Sequence, residues 1–124
     1  MRERRRRRER RDHARLTAAL CEALGTGDAC AVARVLGPGV RVVVDAGGTG
    51  LRASPALTAD PAAHLVVVLG RPDGRELAVR SVNGAPGIVA RRDGTATAVV
   101  VASGRVGAAA VVWVVANPDK LREW

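Results

Sequence analysis

A chain of 124 residues has room for one hydrophobic core of ordinary size and excludes two full-sized domains. It holds no Phe, no Tyr and two Trp, so its core must be built from Ala, Val and Leu, and any mechanism that needs a tyrosine is ruled out. The net charge of +8 is unevenly spread: residues 1–15 carry nine Arg against Glu3, Glu9 and Asp12, net +6, while residues 16–124 carry eleven basic against nine acidic groups, net +2. The chain therefore reads as a basic helical arm or linker, 1–15, followed by a nearly neutral domain, 16–124.

In chain order, Leu16, Leu20 and Leu24, with Ala19 and Ala23 between them, fall at i, i+4 and i+8 and form one apolar stripe of a helix. That helix is expected to start inside the arginine run, whose Arg and Glu are good helix formers, and to stop at Gly25. Asp28 is placed to cap a second, short helix in which Val32, Val35 and Leu36 recur at helical spacing, with Gly37-Pro38-Gly39 ending it. Residues 40–46, VRVVVDA, are β-branched and read as a strand running into the glycine-rich GGTG, 47–50. Asp60-Pro61 and Gly70 bracket a third helix, although Val66-Val67-Val68 has strand propensity. Beyond Glu76 four strands are expected, about 77–82, 87–92, 96–102 and 105–116, with hairpin turns at Asn83-Gly84, Asp93-Gly94 and Ser103-Gly104. This order predicts an α+β domain in which a curved antiparallel sheet wraps over helices covering one face; a cone with an internal cavity is one such arrangement.

Cys21 and Cys30 are nine residues apart with no CxxC spacing and no His pair near, so buried free thiols are expected rather than zinc ligands or a disulfide. The apolar stretch from Leu16 is interrupted by Glu22 and Gly25, and no longer apolar run follows, which predicts a cytoplasmic protein with no membrane contact. GGTG lacks the strand and helix context of a phosphate loop, and no nucleophile elbow is present. No metal or cofactor is expected.

The segments VNGAPGIVARRDG, 82–94, and SGRVGAAAVVWVVANPDKL, 103–121, resemble the SnoaL-like C-terminal domain of a subgroup of actinobacterial extracytoplasmic-function sigma factors. VNGAPG and NPDKL are the specific part; the arginine-rich helix and GDACAVARVLGPGVRVVVDAGG match more loosely. The resemblance implies a nuclear transport factor 2-like cone, with a sheet packed on three helices from the N-terminal half, and a homodimer formed through the sheet. The promoter-reading sigma regions have no counterpart in these residues, and the arm is similar to the linker that follows them. The wider superfamily includes isomerases, cyclases and inactive pocket proteins, so side chains must decide function.

Three functional readings follow. The first is a non-enzymatic regulatory module that binds a small apolar molecule or a protein partner, with Val44, His64, Val68, Asn83 and Trp113 as candidate pocket residues. The second is an isomerase or cyclase acting on a hydrophobic polyketide-like or steroid-like substrate, with Asp45 as base and His64 as its partner, a pairing that requires the two side chains to converge. Asp45 equally suits capping of the loop backbone, His64 and Trp113 suit packing, and Asn83 suits its turn. The third is an accessory protein contacting nucleic acid or the transcription machinery through Arg4, Arg5, Arg6, Arg7 and Arg8. With no aromatic residue interleaved, that contact would be purely electrostatic.

Overall fold

The computed structural model describes residues 1–45 and 60–124; Ala46, the GGTG segment and Ser54 lie outside the described residues. In chain order the elements are α1 (Arg2–Thr26), α2 (Ala29–Leu36), β1 (Arg41–Asp45), α3 (Pro61–Leu69), β2 (Arg75–Val82), β3 (Ala85–Arg92), β4 (Thr95–Arg105), β5 (Ala108–Val115) and α4 (Pro118–Leu121). The fold is α+β, as the sequence predicts, and the caps act as read. Asp28 accepts from the Cys30 N–H at 2.9 Å, and Asp60 accepts from the Ala63 N–H at 3.1 Å with Pro61 in the first turn. α1 passes through Gly25 and ends one turn-residue later, with Gly27 in the left-handed conformation as its cap.

The five strands form one sheet in the order β1-β5-β4-β3-β2. β2 to β5 are an antiparallel meander, whereas β1 joins the far side of β5 in parallel, Val43 opposite Trp113, so the sheet is mixed rather than wholly antiparallel. Asn83-Gly84 and Asp93-Gly94 turn the first two hairpins, each with positive φ at both residues. The third hairpin departs from expectation: it turns at Val106-Gly107, and Ser103-Gly104 is a bulge where the β4–β5 register shifts. A Cβ on Gly104, at φ +119°, would stand 2.7 Å from the Ala108 carbonyl oxygen, so the glycine serves close backbone approach inside the ladder. A second register shift at Ala90/Arg91 adds to the bend of the sheet.

Strand alternation sorts the sheet into two unequal faces. On one, Val42, Val44, Ile88, Ala90, Ala98, Val100, Ala102, Val112 and Val114 meet Leu16, Leu20 and Leu24 of α1, Val32 and Leu36 of α2, and Leu65 and Leu69 of α3 in a single aliphatic core. Burying each such Leu or Val contributes about 1.5–3 kcal/mol, which is how a chain without Phe or Tyr holds its layers together. On the other, among the described residues, Val89, Val99 and Leu121 form a small buried cluster beneath α4 and Trp124, with Val82, Val101 and Val115 partly buried against it.

Arg75 ties the layers at one end. Its guanidinium donates to the Gly70 carbonyl at 2.7 Å and to the Leu24 carbonyl, closing the C-terminal ends of α3 and α1 at once. A cation there also complements the negative ends of both helix dipoles. Burial and the neighbouring Arg92 lower its pKa from the usual guanidinium value. Arg92 in turn donates to the carbonyls of Asp73 and Arg71, fixing the connection into β2.

Candidate functional site

The two motif segments each become a compact, fully employed piece of structure. In VNGAPG, Asn83 and Gly84 make the turn, the Pro86 carbonyl lies 3.1 Å from His13 Nε2 of α1, and Gly87 leaves room for the Val82 side chain. The hairpin is thereby fastened to the base of the arm. In NPDKL, Asn117 caps α4 by accepting from the Asp119 N–H at 3.1 Å, Pro118 fills the first turn, and Leu121 is buried against Val89 and Val99. Lys120 reaches Asp45 at the end of β1, its Nζ 2.5 Å from Oδ2. Asp45 also accepts, through its backbone carbonyl, from the Ala116 N–H at 2.7 Å. The end of β1 is thus joined to the motif that follows β5. Arg91 completes the assembly by donating from its guanidinium to the Trp124 carbonyl.

This geometry separates Asp45 from His64. Val42 and Val44 face the helical layer, so Asp45, in register with Val115 and paired with Lys120, belongs to the opposite face. His64 sits half-buried on α3 within the helical layer. The two side chains are carried on opposite sides of the sheet, and the convergence that a base and its partner need is not seen.

The five candidate pocket residues are likewise dispersed. Val44 is in the central core, His64 and Val68 are half-buried on α3, Asn83 is at a hairpin tip and Trp113 is on the other face. Five grooves among the described residues, including those along α1 and beside α2, are lined by other residues. Among those residues no three His, Cys, Asp or Glu side chains gather as a metal site would require. The thiols also differ from expectation. Cys30, beside the α2 cap, is exposed; Cys21 is only half-buried, and burial raises its pKa against the lowering effect of Arg75.

Alternation alone did not reveal what Trp113 does. The residue is 43 % exposed, flanked across the sheet by Val43 of β1 and Val101 of β4, with Val111 and Val115 two residues away on its own strand. Val101 and Val115 are partly buried against the small cluster under α4, Val43 and Val111 are half-buried, and Trp113 is the exposed member of this apolar group. The arm, by contrast, is charged all round. Residues 1–11 are exposed, and among the described residues Arg5–Glu9, at 3.2 Å, is its only ion pair.

No protein-family model matches the chain, and no curated protein is significantly similar to it. A solved structure does resemble it: the crystal structure of the Mycobacterium tuberculosis extracytoplasmic function sigma factor SigJ, with a TM-score of 0.58 and 24% sequence identity. The match covers 91% of this chain but 45% of that one, so the chain spans less than half the length of its structural neighbour. At this identity the likeness establishes a shared fold. No helix among the described residues is long and apolar enough to cross a membrane.

Proposed function

We propose that this chain is a non-enzymatic, sigma-factor-related regulatory module of the SnoaL-like kind, working by protein contact through the open face of its sheet. The observation that carries this reading is the exposed Trp113 set among Val43, Val101, Val111 and Val115. Trp is the residue type most enriched among the anchors of protein interfaces, and an apolar patch on a chain otherwise well supplied with charge marks a contact surface. The SigJ-like fold supports a role beside the transcription machinery. The dispersal of the pocket candidates, with aliphatic side chains between the layers, favours protein contact over a small-molecule ligand.

A second copy of the chain is the partner proposed for this face. Sedimentation of the full chain tests it: the wild-type protein should sediment as a dimer at micromolar concentration and Trp113→Lys as a folded monomer. A wild-type protein that remains monomeric at high concentration, or a Trp113→Lys variant that still dimerises, would refute the assignment.

A further inference from the structure

We infer that the first four turns of α1 are a binding surface for the phosphodiester backbone of duplex nucleic acid, used without base reading. The placement of charge carries this. Arg4, Arg7, Arg8, Arg11 and Arg15 recur three and four residues apart, so they share one side of the helix and border a common groove. At 1.5 Å per residue the row extends about 16 Å. A nucleic-acid strand presents a phosphate about every 3.4 Å of axis, so five phosphates span about 14 Å, within the length of the row.

The charges on this side are largely uncompensated. Asp12 is the only acidic residue among them, and none of the five arginines has an ion-pair partner within the described residues. The adjoining sides carry Arg6, Arg10, Glu9 and His13, and Arg5 and Arg8 face Arg105 across a further groove, which adds positive potential. Arg4 repels Arg7 and Arg8, and Arg7 repels Arg10 and Arg11, like charges three and four residues apart whose repulsion a bound polyanion would relieve.

The same segment excludes other occupants. From Arg2 to His13 there is no apolar side chain, so the arm has no stripe to enter a hydrophobic groove and no face to bury in a bilayer. From Arg2 to Arg11 no aromatic residue offers a stacking platform, so unpaired bases gain there only the weaker stacking of guanidinium planes, whereas the denser charge of a duplex favours it. The arginine sides are solvent-facing in the folded chain, and the sheet face around Trp113 is not needed for this contact.

Fluorescence anisotropy with a mixed-sequence duplex, read over a salt series, tests the inference on the full chain. Five phosphate contacts predict a slope of log K against log salt near about −4.5, or about a 500-fold loss of affinity between about 50 and 200 mM. The variant R4Q/R7Q/R8Q/R11Q should reduce the slope to about −1 with an unchanged circular dichroism spectrum, and R4K/R7K/R8K/R11K should retain the wild-type slope. An unaltered slope in the Gln variant would overturn the assignment. So would displacement of the duplex by polyglutamate as effectively as by unlabelled duplex, which would indicate an acidic protein surface, or tighter binding of a single strand.

Discussion

Lys120 of α4 and Asp45 of β1 meet at 2.5 Å across 75 residues of sequence, linking the residue that leads out of the first strand to the helix that follows the last. The pair is half open to water, Asp45 33% and Lys120 60% exposed at their side chains, so its strength is set by solvent screening.

Replacing Lys120 by Ala should therefore cost about 0.5–1 kcal/mol in urea unfolding at low salt and clearly less at high salt. Leu121→Ala, which empties the small core under the same helix, should cost about 2–4 kcal/mol at any salt concentration. A loss at Lys120 that does not respond to salt would show that packing of its alkyl chain, not charge, holds α4 in place.

Arg75 closes two helix ends with one guanidinium, so Arg75→Leu should be far more damaging than removal of an ordinary surface arginine. Hydrogen bonds from charged donors contribute about 1.5–3 kcal/mol, and about 3 kcal/mol is the expected loss in chemical denaturation. Arg75→Lys should recover part of it, because an ammonium keeps the dipole interaction but lacks the fork that reaches both carbonyls. Equal stability of the Leu and wild-type chains would contradict the bridging role.

The two glycines of Gly37-Pro38-Gly39 should respond differently to alanine although φ is positive at both. A Cβ at Gly37 would lie 1.9 Å from the Gly107 carbonyl oxygen, whereas at Gly39 it meets nothing within 4 Å. Gly39→Ala should thus cost only the backbone penalty, about 1–2 kcal/mol. Gly37→Ala should exceed about 4 kcal/mol, because α2 and the β4–β5 turn must separate, losing the Gly107 N–H to Val35 carbonyl bond. Matching melting temperatures for the two variants would argue against this contact.

Thiol labelling separates the cysteines. Exposed Cys30 should react first, and half-buried Cys21 more slowly, with its rate continuing to rise to a higher pH because burial disfavours the thiolate. The corresponding stability term has a definite sign. With the folded pKa raised, it is fully present below the unfolded thiol pKa and is lost as pH rises through the folded value. Cys21→Ser should flatten that alkaline decline; an unchanged decline would assign it to other groups.

Local chemistry made much of this fold readable. Asp28 and Asp60 announce their helices, and Asn83-Gly84 and Asp93-Gly94 their turns, because each acts on neighbours a few residues away. Ser103-Gly104 misleads for an instructive reason: glycine is required there by the Ala108 carbonyl on the facing strand, while the actual turn uses Val106, a residue with no turn signature. The parallel seat of β1 beside β5 and the Lys120–Asp45 pair are set by tertiary placement, so no window of sequence contains them. NPDKL was recognisable as a motif, but only the fold shows that its lysine is directed to Asp45. Trp113 was visible as a strand residue; which face it occupies depends on where the helices lie.

The register of β1 against β5 also dictates an order of events. Arg41 is paired with Val111, a separation of seventy residues, so β1 finds its strand neighbour among the described residues after the whole meander exists. Hairpins and helices can form as the chain emerges, but closing so long a loop waits for β5, and contacts of this span slow folding. Until then Val42 and Val44 lack their ladder partners, and a ribosome-bound chain would carry an exposed, β-prone strand for most of its synthesis.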